Sequence, residues 1–305
     1  MKKHAYLIMA HNNFEQLKLE LKLLDDVRND IYIHIDKKAK NVNLEDIKSC
    51  VHNSNVFFSK RYNVKWAGYS GIQCEIELLK EALSQRYEYY HLLSGMDLPL
   101  KKQDEIHKFF EEYKGKEFIS YDREQMNPIV LNRIKYYYFF QDVYGRNRKN
   151  PFMVFLYLLD KMLNKIQKIC KVNRIKNYDM VWQKGPNWFS ITHDLAEYVV
   201  KKEKWIKKVF FFSISGDEMF LQTIVKNSKY KDNLFMDGLT DEKLSPCMRK
   251  IDWTRGKPYI WREKDFDELI ESPYLFARKF DINVDKAIIE KIETEVLKDT
   301  LKNIG

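Results

Sequence analysis

The run His4-Ala5-Tyr6-Leu7-Ile8-Met9-Ala10, followed by Phe14, Leu17, Leu21 and Leu24 and then by Ile31-Tyr32-Ile33-His34-Ile35, reads as strand, helix and strand. Unbroken apolar runs suit strands buried on both faces, and apolar residues three and four apart suit a helix packed on them. Val56–Phe58, Tyr89–Leu93 and Glu117–Ile119 read as further strands, and Ile72, Ile76, Leu79 and Leu83 mark a helix starting near Ser70 or Gly71. Residues 1–120 are therefore expected to form an α/β sheet of βαβαβ-like order. From Asn187 the alternation resumes with a strand over Trp188–Ile191 and a helix through Val200 capped by Thr192. Further helices are predicted from Ser215 and near Asp265, and a closing amphipathic helix over Val284–Leu301. We find no repeat and no linker, so residues 1–305 read as one domain.

Composition narrows the function classes. At 45% hydrophobic the chain has material for a sizeable core and is not disordered. Its longest uncharged apolar run, Phe152–Leu159, is eight residues, whereas a bilayer span needs about 20. The N-terminal apolar run is short and lacks a small-residue cleavage site, so it reads as a strand and not as a signal peptide. Cys50, Cys74, Cys170 and Cys247 are too scattered for a disulfide framework or a zinc site, which points to a reducing cytoplasm. The net charge of +9 is localised: between Leu131 and Lys176 eleven basic residues face only Asp142 and Asp160. Such a segment, 131–176, reads as a basic, aromatic, helical insertion with an anionic partner.

Several chemistries lack their signatures. There is no GxGxxG or GxxxxGK[ST] phosphate loop, no GxSxG elbow and no HExxH. The single DxD triplet, Asp265-Phe266-Asp267, lies before Leu269 and Ile270 and reads better as the acidic first turn of a helix than as a metal site. Ser215-Gly216-Asp217-Glu218 has the form of a capping box, and the same position would suit Glu218 as a general base. Asp36 follows the second strand, where a carboxylate can meet a ribose or base and where a turn Asp is equally common. Val64–Ser70 and Leu92–Leu100 are loops at the ends of such strands.

Taken together, these segments resemble the core-2/I-branching β-1,6-N-acetylglucosaminyltransferase and peptide O-xylosyltransferase family, glycosyltransferase family 14. The resemblance is carried by His4–His11, Ile33–Lys38, Val64–Ser70, Leu93–Leu100, Gly185-Pro186-Asn187-Trp188-Phe189-Ser190, Ser215–Phe220 and Leu275-Phe276-Ala277-Arg278-Lys279-Phe280-Asp281, in that order. It implies a GT-A-like α/β fold with a mixed central sheet flanked by helices. Residues 1–120 would then be mainly the nucleotide-binding half and 185–305 the acceptor and catalytic half. It also implies inverting transfer from a UDP-sugar without a metal or other cofactor. By the same resemblance Glu218 is the base, and Arg255 and Lys279 hold the donor diphosphate. Ala10, His11, Asp36, Val64, Trp66 and Gly68 line the nucleotide, while Asp97, Trp188 and Asp217 meet sugar or acceptor. Gly216 stands where related sequences often have Pro.

The expected activity is transfer of GlcNAc from UDP-GlcNAc, β-linked, to a glycan hydroxyl in bacterial surface polysaccharide assembly. UDP-xylose or another UDP-sugar is the alternative donor. The basic helix after Pro151 could bring the site to a lipid-diphosphate-linked acceptor on the inner face of the cell membrane, or could simply pack its apolar stripe on the domain. Two rivals remain open at this point: a basic nucleic-acid-binding protein contacting its ligand through Arg133–Arg148, and an inactive sugar-binding relative in which Glu218 only caps. The main reading has no nucleic-acid partner.

Overall fold

A computed structural model describes residues 3–122, 127–239 and 244–298. The strands are β1 (His4–Ala10), β2 (Asn29–Ile35), β3 (Asn55–Phe58), β4 (Tyr89–Ser94), β5 (Asp97–Pro99), β6 (Phe118–Ile119), β7 (Phe189–Thr192), β8 (Arg249–Ile251) and β9 (Phe276–Arg278). Six of them form one sheet in the order β3-β2-β1-β4-β7-β6. The first four are parallel, with Ile8 level with Ile33 and Leu93, while β7 pairs antiparallel with β4 on one side and with β6 on the other. The mixed α/β sheet flanked by helices is thus as expected. β1 and β2 have apolar runs because both faces are covered. The helix Phe14–Leu24 packs in one core with Ile106 and Phe110, while the helix Tyr69–Ala82 belongs to a second core with Leu195, Val199, Ile206 and Phe220.

The chain runs from β1 out to β3, then returns to place β4 on the other side of β1. Neighbouring connections therefore diverge at the carboxyl ends of β1 and β4, and such a switch point is where open α/β sheets bind ligands. A second sheet, β5-β9-β8, lies beside that edge and belongs with the core of Trp261, Leu269, Phe280 and the helix Lys286–Leu297. Its three-residue strands are too short to show in the sequence pattern. Arg249, 1% exposed, joins the two sheets by donating to the carbonyls of Leu92 and Phe189 and to the Ser190 hydroxyl. Burial lowers its pKa to about 10.

The predicted helix ends hold at Thr192, which accepts from the Leu195 amide, and at Asp285, which caps the closing helix. The closing helix was expected to reach Leu301, which lies outside the described residues. The capping box at Ser215 does not form. Ser215 adopts a left-handed conformation, φ 51°, its side chain caps nothing, and Gly216–Glu218 is a single 3-10 turn. Its amide instead donates to the Ala67 carbonyl at 2.8 Å, so this turn is tied to the loop before the helix Tyr69–Ala82.

Candidate active site

Ala10, Asp36 and the Val64–Gly68 loop lie at or beyond the ends of β1, β2 and β3. The Ala10 carbonyl accepts from the Asp36 amide at 2.8 Å, which joins the ends of β1 and β2. Asp36 is buried, accepts from the Lys38 amide at 2.8 Å and pairs with the Lys38 ammonium at 3.4 Å. Lys38 in turn reaches the Val64 carbonyl at 2.6 Å, so Asp36 and the Val64–Gly68 loop form one wall. His11 is exposed at the mouth. Its pKa is lowered first by desolvation and then by Lys279, Lys38 and Arg278, against Asp36. These cations therefore share its surroundings, and His11 is a neutral ring at neutral pH.

Trp66 is half exposed, and the Arg146 guanidinium lies 4.1 Å over its ring. Lys279 is half-buried, and its pKa is lowered first by desolvation, then by Arg278 and Arg146, against Asp281 and Asp97. Three cations thus converge here, Arg278 and Lys279 from the second sheet and Arg146 from the basic segment. Arg146 was not singled out in the sequence, because nothing local distinguishes it from its basic neighbours. Asp97 pairs with Arg278, and Asp281 acts on Lys279, so the cluster is partly compensated.

Arg278 is oriented from behind. Asp97, 1% exposed, pairs with it at 2.7 Å and also accepts from the Ser94 amide and hydroxyl. Both Asp97 oxygens are engaged, so Asp97 reaches a ligand only through Arg278. Trp188 is likewise buried, its ring 4.4 Å under the Arg278 guanidinium. Arg255 was expected beside Lys279 on a diphosphate. Its guanidinium is instead held by Asp252, by Asp265 at 3.0 Å and by Glu268 at 3.0 Å, and stacks on Tyr259 and Trp261. With three carboxylates on it, its charge is already compensated. Asp265 of the DxD triplet is spent on that pair and on the Arg262 amide. Among the described residues no group of three or more His, Cys, Asp or Glu side chains is placed to hold a metal ion.

Glu218 stands at the end of the turn tied to Ala67. Arg133 pairs with its Oε2 at 2.7 Å, and Lys184 lies 3.6 Å from the same oxygen. Both cations thus face Oε2 and neither pairs with Oε1. The backbone is fixed as well: the Gly185 amide donates to the Glu218 carbonyl at 3.0 Å. A Cβ on Gly185 would sit 1.9 Å from the Ser120 carbonyl oxygen, so only glycine passes there. Gly216 is just as confined, because its Cβ would lie 2.4 Å from Ser213 Oγ. Beneath Glu218, Asp217 Oδ1 is buried without a hydrogen bond. Burial, then the Glu218 charge, pushes Asp217 up to about 6. The buried Glu75 is raised as well, first by desolvation and then by Asp217. Asp217 thus faces the interior more than a sugar.

The basic segment is part of this site. Gln141 donates to the Trp66 carbonyl, and Asp142 accepts from the amides of Tyr69 and Ser70 and from the Ser70 hydroxyl, capping the helix Tyr69–Ala82. Gly68 leaves room for that carboxylate, since a Cβ there would fall 2.1 Å from Asp142 Oδ1.

The mixed α/β sheet thus carries Glu218, held by Arg133, and the cations Arg278, Lys279 and Arg146 on the loops around it. The chain belongs to the Core-2/I-Branching enzyme family, whose model matches residues 4–266. It is 25% identical to the xylosyltransferase sqv-6 of Caenorhabditis briggsae, over 93% of this chain and 35% of that one. It is 23% identical to rat xylosyltransferase 2, over 95% and 33% respectively. With human N-acetyllactosaminide beta-1,6-N-acetylglucosaminyl-transferase it shares 24% identity over 97% of this chain and 73% of the relative. The chain thus spans about a third of the length of the xylosyltransferases it matches.

Proposed function

We propose that this protein is an inverting glycosyltransferase that moves a sugar from a UDP-sugar to a glycan hydroxyl. The observation that carries the reading is Glu218, a carboxylate fixed through its backbone by Gly185 and through one oxygen by Arg133, on a turn bonded to the loop of the cationic cleft. In the reaction Glu218 takes the acceptor proton as the acceptor oxygen bonds to the anomeric carbon. The bond from that carbon to the diphosphate oxygen breaks on the opposite face, and UDP leaves with its electron pair. Lys279, Arg278 and Arg146 stabilise the charge on the departing diphosphate, a role that a metal ion fills in other enzymes. Uridine lies against Asp36 and the Val64–Gly68 loop. We favour GlcNAc as the donor sugar, because the chain covers far more of the GlcNAc-transferring relative than of the xylosyltransferases. UDP-xylose is the second reading, supported by the number of relatives with that name. The test is UDP release with EDTA present, one UDP-sugar per reaction, for the native protein and Glu218→Gln. Turnover with one donor, lost in the variant while UDP binding persists, is expected; equal turnover in the two proteins refutes Glu218 as the base.

We further propose that the enzyme works on the inner face of a bacterial cell membrane, in surface polysaccharide assembly. The support is the helix Pro151–Ile169, which turns an apolar stripe outward while burying Leu156 together with two polar residues. Its buried residues include Asp160, accepting from the amides of Phe139 and Phe140, and Gln167, bonded to both backbone groups of Tyr137. Its exposed face carries Phe152, Phe155, Leu158, Met162 and Ile166, each between 46% and 59% accessible. Lys161, Lys165 and Lys168 are exposed beside this stripe. A second copy docking face to face would oppose lysines with lysines, whereas an anionic bilayer takes the apolar face and attracts the charges. No described helix is long and apolar enough to cross a membrane, so the contact would be peripheral. Sedimentation with anionic but not zwitterionic vesicles, abolished by Phe155→Glu with Met162→Glu, is expected. Concentration-dependent dimerisation without vesicle binding refutes it.

A further inference from the structure

Between the helix Pro151–Ile169 and the loop at Trp66 lies a cavity of about 490 Å3, within the usual range of roughly 300–1,000 Å3 for ligand sites, whose wall runs from the buried Asp160 out to the exposed Lys161, Lys165 and Lys168. Its walls have two kinds of surface. Trp66, Tyr138, Tyr144 and Tyr157 supply flat rings, which suit the C–H faces of sugars. Arg148, Lys161, Lys165 and Lys168 supply charge. Arg148 is stacked 4.0 Å from the Tyr157 ring and 4.7 Å from that of Tyr144, and its hydrogen bonds go to the carbonyls of Gly145 and Asn147. Among the described residues none of these four cations has a salt bridge to a carboxylate. The one acid in the wall, Asp160, is committed to backbone amides, and burial raises its pKa.

The cavity also reaches the chemistry. Asn132 and Ile214 line it, the Ile214 amide donates to the Arg133 carbonyl at 3.0 Å, and Arg133 holds Glu218. Trp66, at the opposite wall, lies under Arg146 of the donor cleft. The cavity wall thus adjoins Arg133, which holds the proposed base, and Arg146 of the proposed donor site.

We propose that this cavity is the acceptor subsite and that it takes a glycan bearing a phosphate or diphosphate, its sugar against the rings and its anion on the lysines. The inference rests on the glycosyl-transfer reading and adds the acceptor's chemical class. Lys161 and Lys168 are seven residues apart, roughly 10 Å along a helix, with Lys165 between them. That spread matches a diphosphate or successive phosphates better than a single carboxylate.

Isothermal titration of the full chain tests this with three probes: N-acetylglucosaminyl diphosphate on a short water-soluble alkyl chain, the matching neutral alkyl glycoside, and UDP. The native protein should bind the diphosphate at least tenfold more tightly than the neutral glycoside, with affinity falling as salt rises. Lys161→Ser/Lys165→Ser/Lys168→Ser should lose that tenfold preference and keep UDP affinity, and the triple Lys→Arg variant should retain both. Repeating the titration with the glycosyl diphosphate anchored in zwitterionic vesicles separates a lipid-linked from a free source of the same anion. UDP bound with no preference for the charged glycan overturns the inference and leaves the transferase reading intact. Loss of UDP affinity in the serine variant also overturns it, by making the cavity part of the donor site. Failure of the native protein to bind UDP at all counts against the transferase reading itself.

Discussion

Replacing Gly68 by Ala should loosen the joint between the basic segment and the sheet, and the structure gives the size of the effect. The new Cβ would fall 2.1 Å from Asp142 Oδ1 and 2.7 Å from its Cγ, so the carboxylate must leave. It now accepts from the Tyr69 amide at 2.8 Å, the Ser70 amide at 3.1 Å and the Ser70 hydroxyl at 2.6 Å. Losing such a cap costs about 1–2 kcal/mol, and losing the negative charge at a helix N-terminus costs about 0.3–1 kcal/mol more. Against this, removing a glycine from the unfolded chain stabilises by about 0.4–1 kcal/mol, because the backbone at Gly68 (φ −90°, ψ 169°) is open to alanine. The net expectation is a loss of about 1–2 kcal/mol, read from urea denaturation as a lower midpoint at unchanged slope. The decisive test is the double mutant. Asp142→Ala alone should cost about 2–3 kcal/mol. In that background Gly68→Ala has no carboxylate to displace and should be neutral or slightly stabilising. Equal losses from Gly68→Ala in both backgrounds would show that Asp142 is not the mediator.

Four further outcomes are expected. Glu218→Gln should lower turnover by roughly 10²–10⁴ with UDP affinity unchanged, as measured by product formation and calorimetry. Gly185→Ala should destabilise by at least about 2–3 kcal/mol, since its Cβ meets a backbone carbonyl that has no rotamer to change; a soluble variant with native melting temperature would contradict this. Glu20 is buried with neither oxygen hydrogen-bonded, and burial raises its pKa. Its folded form therefore loses stability as pH rises above the unfolded value, so Glu20→Gln should stabilise by about 1–3 kcal/mol at pH 7 and by nothing at pH 4. Asp217 titrates near 6 in place of 3.8, so the folded state is favoured most below pH 3.8 and progressively less up to pH 6. Asp217→Asn should remove that slope, worth about 3 kcal/mol at most, and denaturation midpoints at pH 4 and pH 7 would read it.

Much of the site is visible in the sequence only as isolated positions. Glu218 can be found from its acidic pair at a predicted helix start and from resemblance, yet its partner Arg133 is 85 residues away with no local mark. The same holds for Arg146, one basic residue among many until Trp66 is placed beneath it. Asp97 and Trp188 stand out in the sequence as loop and strand residues, and only the fold shows both buried against Arg278. Arg255 shows the reverse error, because a cation near a motif does not reveal the three acids that neutralise it.

The order of strands and helices follows from the sequence alone, because apolar runs and helical periodicities are local patterns that fix which residues must leave water. The βαβαβ-like order of the first strands and helices and the closing helix are readable in that way, whereas the mixed sheet follows only from the family resemblance. Which way an amphipathic helix turns is not a local property. Residues 151–169 carry an apolar stripe whichever side faces the domain, and it is the amides of Tyr137, Phe139 and Phe140 that draw Gln167 and Asp160 inward. A buried backbone amide needs an acceptor more than the domain there needs another apolar contact, and that competition exists only once distant segments meet. The orientation of that helix, the cation cluster and the cavity are therefore consequences of tertiary packing.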